Sequence, residues 1–448
     1  MKEKKIIPPR VLKGFRDSLP AEELLRKNIQ RKLEDTFERY SFVPIDTPVL
    51  EYTEILLGKG SGETDKQIYR FEDHGGRDVA MRFDLTVPFA RYIAAHLQEL
   101  KLPFRRYHIG KVFRGENTQR GRYREFIQCD FDIVGVDAVS ADFEILQLVN
   151  NSFINIGVEN IIIRLSHRGV FRSLLDRLGV MDRDVEILRT ADRLEKAGAE
   201  NVKKMLLDIV DPETADKILA FIQVKGTQEE TLAVMEHFVG ADDPSLLRLR
   251  ELLSLIELSE LAGRAVIDPS ITRGLDYYTG MVFETFLKDN PGIGSVCSGG
   301  RYNDLASLYT KEKIPGVGGS IGLDRLLAAL ENTETAASAG YPGNILIFCM
   351  DETFLSFYHN LAEKFRKHGI AAEVFPEPKK IAAQFTYAER RGIPIGIICG
   401  EDEIKEGRIN LKDLVTRESF PNLNETEALK TAAEILKRLG GNRIPEVH

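Results

Sequence analysis

FRRYHIGKVFRGENTQRGRYREFIQCDFDIVG, residues 104–135, is the stretch whose reading decides the fold. Two runs of β-type residues, FRRYHIGKVFR and REFIQCDFDIVG, flank the polar loop GENTQRGRY. Adjacent strands joined by a tight polar loop predict antiparallel pairing. The charge of this stretch is also unusual. From Arg105 to Arg124 it carries Arg105, Arg106, Lys111, Arg114, Arg120, Arg122 and Arg124 against Glu116 and nearby Glu125. The whole chain is acidic, 61 basic against 69 acidic residues for a net charge of −8, which argues mildly against a generic polyanion binder. A nucleic-acid partner therefore needs local basic surface, and this stretch supplies it. A solvated surface hairpin would carry the same pattern.

Upstream, residues 21–40 place Leu25, Ile29, Leu33, Phe37 and Tyr40 at helical spacing. FVPIDTPVLE follows, a strand with Pro44 and Pro48; proline cannot donate to a central ladder, so it belongs at a sheet edge or a subunit contact. VAMRFDLT adds a further β-type run. Downstream of Val139 the pattern is helical to about residue 262, apart from a strand near IIIRLS, and reads as an inserted helical module. Strand and turn signals return in AVIDPSITRGLDYYTGMVFETFL and run to the helix IGLDRLLAAL. NTETAASAGYPGN is a linker by composition. Strand–helix alternation follows, from NILIFCM to EALKTAAEILKRL, and implies a mostly parallel sheet. The expected fold is an α+β domain on an antiparallel sheet with a helical insertion, then an α/β domain with a mostly parallel sheet. The boundaries fall at 1–168 and 263–331 for the two parts of the first domain, 169–262 for the insertion, 332–343 for the linker and 344–448 for the last domain.

Length and composition fit this division. At 448 residues the chain exceeds one ordinary core, and length alone suggests about three domains. Apolar residues make up 43% and charged residues 29%, a globular balance. No apolar run reaches the roughly 18 residues a membrane span needs. MKEKKIIPPR has no apolar stretch behind its basic residues, which argues against a secretory signal. Cys129, Cys297, Cys349 and Cys399 stand far apart without a C-x-x-C pair, so no metal site or disulfide framework is expected and a cytoplasmic location is the plain reading. The P-loop pattern G-x-x-x-x-G-K-[ST] does not occur. GVGGSIG, from Gly316 to Gly322, has Ile321 where the third glycine of a dinucleotide loop should stand. A Gly-rich strand against which a flat ligand such as a purine can lie is the plainer reading.

Polar residues that invite chemistry cluster at Arg114, Glu116, Arg122, Tyr123, Arg124, Gln128, Asp130 and Asp132, then at Arg273, Asp276, Tyr277 and Tyr278, and finally at Arg325. An arginine in an apolar strand pattern needs a partner, because an unpaired buried charge costs several kcal/mol. Such arginines either pair with structural carboxylates or grip an anionic ligand through planar, bidentate donors.

At these residues the sequence resembles the class II aminoacyl-tRNA synthetases. The opening quotation is similar to motif 2, the F-R-x-E strand–loop–strand; GVGGSIGLDRLLAAL resembles motif 3, and IDTPVLE after the amphipathic helix resembles motif 1. RGLDYYTGMVFE, from Arg273 to Glu284, looks like a signature of the histidyl-tRNA synthetases, and MRFDLTVPFARY, CSGGRYNDL and LKGFRDSLP are similar to other blocks of that family.

The resemblance implies a reaction and a site. Histidine would be activated with ATP, accompanied by Mg²⁺, and loaded onto tRNA(His) through a histidyl-adenylate, by a homodimer with no membrane contact. Arg114, Arg273 and Arg325 would be the catalytic cations, Arg114 on the α-phosphate and amino-acid carboxylate, Arg325 on the γ-phosphate side, Arg273 near the reacting carboxylate. Glu116, Arg122, Tyr123 and Phe126 would complete the ATP site. Asp84, Thr86 and Gln128 would form the α-amino corner, Asp132, Tyr277, Tyr278 and Tyr302 the imidazole pocket, and Leu85 would be a further histidine-binding residue. Many bacterial members carry glutamate where this chain has Asp84 and Asp132, so the reach is shorter by about 1.5 Å, one C–C bond. Polar readout of the imidazole can reject analogues without an editing site. In the last domain Phe385, Tyr387, Arg390 and Arg391 lie on one helix as candidate base readers. The rival implied by the same likeness is a non-catalytic, synthetase-like regulatory subunit of histidine biosynthesis.

Overall fold

The computed structural model describes residues 7–58, 67–272, 277–331 and 343–439. Among these, residues 7–18 with 26–331 form one compact unit and residues 19–25 with 343–439 a second.

The first unit is built around the quoted hairpin. Phe104–Phe113 and Glu125–Val134 pair antiparallel, Phe104 opposite Val134 and Phe113 opposite Glu125. Beyond Glu125–Val134 come Gly316–Gly322, Cys297–Tyr302, Met281–Leu287 and Ile161–His167, each antiparallel to its neighbour. The two edge strands of this eight-stranded sheet differ: Val43–Pro44 runs parallel to Phe104–Phe113, and Ala265–Ile267 parallel to Ile161–His167. The sheet is therefore mixed, where an antiparallel one was expected. The reason lies in the connections. A parallel pair needs a long crossover, and the helices from Arg168–Arg177 to Pro244–Glu257 supply one between Ile161–His167 and Ala265–Ile267. Pro44 occupies the edge strand, where its missing N–H leaves no gap in a central ladder. A small sheet of Leu50–Tyr52, Asp78–Met81 and Arg70–Glu72 stands apart from the large one.

Helical periodicity places the core. In Pro20–Arg39 the apolar Ile29, Leu33 and Phe37 are buried, and the Phe37 ring lies 5.5 Å from Tyr107 and 5.3 Å from Phe131. Each such side chain contributes roughly 1.5–3 kcal/mol by leaving water. The inserted helices start where the sequence supplies caps. Asp211 accepts the N–H groups of Glu213 and Thr214, with Pro212 in the first turn. Thr227 and Glu230 form a reciprocal capping box, and Asp243 accepts the Leu246 N–H; each cap is worth about 1 kcal/mol. One ionic knot ties these helices to the sheet. Asp142 is gripped by Arg248 of Pro244–Glu257 at 2.9 Å and by the fully buried Arg301 of Cys297–Tyr302 at 2.7 Å.

In the second unit the strands lie in the order Ala372–Val374, Ile345–Ile347, Ile395–Ile398, Ile409–Asp413, Ser419–Leu423. Ile345, Leu346, Ile347, Ile395 and Ile397 are all buried, which is why these strands read as continuous apolar runs. The first three are parallel, the last two pairings antiparallel. This corrects the expected mostly parallel sheet. Only a short helix, Glu401–Glu406, separates Ile395–Ile398 from Ile409–Asp413, and a brief turn links that strand to Ser419–Leu423; neither link is long enough for a crossover.

Candidate active site

A cavity of about 390 Å³ opens on the large sheet of the first unit, floored by the hairpin and the Gly-rich strand. Side chains alternate along a strand, so Gln128, Asp130 and Asp132 share one face of Glu125–Val134. On the neighbouring strand Ser320 stands opposite Asp130 and Gly318 opposite Asp132. A Cβ at Gly318 would fall 2.0 Å from Asp132 Oδ1. Glycine there leaves room for the carboxylate.

One part of the cavity is cationic. Arg114, just beyond Phe104–Phe113, donates through Nε to the Phe83 carbonyl at 2.9 Å and lies 5.1 Å from the Phe126 ring centroid. Arg122 faces Glu116 at 3.9 Å. Arg325 lies in the first turn of the helix Leu323–Leu330 and donates to the Ser295 carbonyl. Burial, reinforced by the positive charge of Arg122, lowers Arg325 to about 10; Glu116 and Glu284 oppose the shift and Arg114 adds to it. Three guanidinium groups lining one cavity suit an anionic ligand. The preceding Asp324 anchors the helix: it accepts the Ile127 N–H at 2.8 Å and pairs with Arg16 at 2.9 Å and Arg26 at 3.3 Å. Arg16, from the opening block, lies 4.2 Å over the Tyr123 ring.

The other part is acidic and aromatic. Asp132 accepts the Tyr302 hydroxyl at 2.5 Å and pairs with Arg106 at 2.6 Å. Arg106 is fully buried and lies 4.1 Å over the Phe89 ring. Asp84 accepts the Val87 N–H at 3.1 Å and the Tyr277 hydroxyl at 3.5 Å. Burial raises Asp84 to about 6, against the pull of the Val87 N–H and of Arg114. Asp132 is also raised, by burial first, with Arg106 opposing. Tyr277 packs edge-on against Tyr278 and Tyr302 at 5.0 and 5.9 Å. The charge of Arg114 reaches both Asp84 and Arg325, so this side chain joins the two parts.

Asp84, Thr86, Arg114, Glu116, Arg122, Tyr123, Phe126, Gln128, Asp132, Tyr277, Tyr278, Tyr302 and Arg325 thus border one cavity. Leu85 does not. It is fully buried, and its contribution is its carbonyl, which accepts from Arg106 at 3.5 Å. Arg273 lies outside the described residues. Sequence reasoning missed Arg106 as the partner of Asp132, Asp324 as the anchor of the Arg325 helix, and Glu284, Glu195 and Lys196 as further lining. Arg106 had a legible signal, since it stands directly opposite Asp132 in the hairpin. Glu195 and Lys196 come from the helical module, whose pattern gives no hint of where it touches the sheet.

In the second unit, the candidate base readers are divided. Phe385 packs against the core with its ring 4.7 Å from Phe348, and Tyr387 packs 5.3 Å from Phe375, so both aromatics serve packing. Arg390 is exposed.

Comparison with known proteins decides the family. The sequence profile described as Histidyl-tRNA synthetase matches residues 14–326, and the profile Anticodon binding domain matches residues 344–439. The chain belongs to the histidyl-tRNA synthetase family. It is 50% identical over 426 residues to the histidine–tRNA ligase of Treponema denticola, covering 92% of this chain and 95% of that one. To the histidine–tRNA ligase of Rhodopirellula baltica it is 44% identical over 420 residues, with the same coverages of 92% and 95%. The crystal structure of histidyl-tRNA synthetase from Nostoc sp. PCC 7120 superposes with a TM-score of 0.83 at 31% identity, over 97% of this chain and 100% of that one. Membership of the histidyl-tRNA synthetase family accounts for a cavity with a cationic and an acidic part, and for two units of different architecture.

Proposed function

We infer that the cavity activates histidine and that the chain is a histidine–tRNA ligase. It joins L-histidine to tRNA(His) through a histidyl-adenylate, releasing diphosphate and then AMP. The observation that carries the reading is the single cavity in which Arg114 connects a cluster of guanidinium groups to a buried aspartate–tyrosine pocket.

The chemistry follows from charge. Histidine's carboxylate is ionised at neutral pH and attacks the α-phosphorus of ATP without a general base. Two anions must be brought together in line, so fixed cations do the work: they orient both reactants and offset charge growing on the phosphoryl oxygens. Arg114 would hold carboxylate and α-phosphate, Arg325 the far end of the triphosphate, and Arg273 the reacting carboxylate. Phe126 and Tyr123 would flank the adenine, with Glu116 and Arg122 on the loop beside it. ATP enters as its Mg²⁺ complex, the metal being part of the substrate. Asp84, Thr86 and Gln128 would take the α-ammonium. Asp132, with Tyr277, Tyr278 and Tyr302, would read the imidazole, whose neutral ring offers one donor and one acceptor. A side chain that cannot pair with a buried carboxylate leaves it unsatisfied, which supports selection by binding alone. In the second step a terminal ribose hydroxyl of tRNA attacks the adenylate carbonyl, and the unit containing residues 344–439 would receive the anticodon.

The regulatory-subunit reading is less well supported, because the Treponema denticola and Rhodopirellula baltica relatives, each matched over 92% of the chain, are histidine–tRNA ligases and the anticodon-binding profile is present. We place the protein in the cytoplasm and propose a homodimer, consistent with the exposed Val43, Leu50, Tyr52 and Phe71 on the edge strand and the small sheet. Among the described residues no helix is long and apolar enough to cross a membrane. ATP–diphosphate exchange measured with each amino acid in turn tests the function. Exchange that depends on histidine alone is expected; none with any amino acid would point to the regulatory role, and exchange with a different one to another synthetase. Light scattering of the purified protein tests the dimer.

A further inference from the structure

Asp130 sits on the strand face between Gln128 and Asp132, behind the cavity wall, and is 2% exposed. Among the described residues Asp84, Asp130 and Asp132 share one fully buried guanidinium, Arg106, and they are compensated unequally. Asp132 has Arg106 at 2.6 Å and the Tyr302 hydroxyl; Asp84 has the Val87 N–H and the Tyr277 hydroxyl. Asp130 has Arg106 only at 3.9 Å, the Thr86 hydroxyl at 3.5 Å and the pull of the Ser320 hydroxyl, and its Oδ1 accepts no hydrogen bond among the described residues.

The other groups around Asp130 do not make up the difference. His108, opposite it in the hairpin, is kept neutral by burial and turned to Asp46. Arg82 donates to the carbonyls of Thr47 and Lys111 and pairs with Asp46 at 3.7 Å, so Asp130 feels its charge from a distance without direct contact among the described residues. Ser320 offers only a hydroxyl from the facing strand; Cys297, Tyr277 and Tyr278 are buried acids that stay protonated. A carboxylate buried without a close cation is costly, and Asp84 also feels Arg114, so the carboxyl left with an unsatisfied oxygen keeps its proton. Geometry selects Asp130. Burial, resisted by Arg106 and aided by Asp132, holds that carboxyl at about 7.

We propose that Asp130 is a positioning residue that gives up its proton when the α-ammonium of histidine enters the corner formed by Asp84, Thr86 and Gln128. The incoming positive charge lets Asp130 ionise, and its proton passes to solvent. The Thr86 hydroxyl then donates to the new carboxylate and turns its lone pair to an ammonium N–H. The inference rests on reading that corner as the α-amino site.

Calorimetric titration of the full chain with histidine at pH 7, in buffers of different ionisation enthalpy, counts the protons released. Wild type is expected to release about half a proton more per site than Asp130→Asn, the share that a group titrating near 7 still holds at that pH. The substrate's own imidazole contributes equally to both and cancels. Equal counts, with histidine bound by both, would overturn the proposal. Should wild type bind no histidine, it is the reading of the cavity that fails. If Asp130→Asn does not fold, infrared difference spectra of wild type decide: a protonated-carboxyl band that persists on histidine binding also overturns it.

Discussion

Replacing Tyr302 by Phe removes one hydroxyl from the proposed imidazole pocket and keeps the ring. That hydroxyl donates to Asp132 Oδ1 at 2.5 Å in a site where both residues are buried. A hydrogen bond to an ionised group is worth about 1.5–3 kcal/mol, or roughly 10- to 160-fold in an equilibrium or a rate. Arg106 stays on Oδ2 of the same carboxylate at 2.6 Å, so Asp132 keeps its ionic partner and the lower part of that range applies. We expect kcat/KM for histidine in ATP–diphosphate exchange to fall about 10- to 40-fold, mostly through KM. The KM for ATP should change less than twofold, because the guanidinium cluster is untouched. A kcat/KM for histidine within threefold of wild type would refute the argument that Tyr302 orients Asp132 for substrate. So would an equal rise in both KM values, which indicates general loosening.

Arg325→Gln should lower kcat for exchange by roughly 10²–10³-fold with little change in histidine affinity measured by calorimetry, as expected for a cation acting on developing charge. Gly318→Ala sets a methyl 2.0 Å from Asp132 Oδ1 and 2.5 Å from the Phe131 carbonyl; overpacking of this kind costs about 1–3 kcal/mol, and histidine-dependent exchange should be lost before the fold is, as followed by circular dichroism. His167 is buried at the end of Ile161–His167, accepts the Gly169 N–H at 3.1 Å, and burial lowers it from 6.5 to about 4. The folded state therefore binds fewer protons than the unfolded one in that window, and stability present above pH 6.5 is lost as pH falls toward 4. His167→Asn keeps the helix cap without the titration, so in urea melts wild type should lose about 2 kcal/mol more than this variant between pH 7 and pH 5.

Local chemistry made much of the framework readable. The hairpin follows from its two β-type runs and polar loop, the edge position of Pro44 from its missing N–H, and the helix Pro20–Arg39 from the spacing of Ile29, Leu33 and Phe37. Strand direction was less readable, because it depends on the length of a connection and on which strand lies alongside. Ile409–Asp413 looked like the next member of a parallel series and turned back instead. At the candidate site, residues within a motif were legible and their supports were not. Arg325 could be singled out, but its anchoring through Asp324 to Ile127 and Arg16 joins parts of the chain some 200 to 300 positions apart, and no periodicity records that. Leu85 is flanked by two cavity residues, but at the N-terminus of Thr86–His96 its own side chain is fully buried, which a residue's place in a motif does not reveal.

The Gly-rich strand Gly316–Gly322 has an evolutionary consequence. A wall built of bare backbone has almost nothing for point mutation to alter: any residue added at Gly318 or Gly319 strikes Asp132 or the Phe131 and Phe283 rings. Drift in what this pocket accepts must therefore come through the side chains that project over that wall, chiefly Asp132, Tyr278 and Tyr302. A laboratory search for altered amino-acid preference would do well to randomise those three positions and leave the glycines alone.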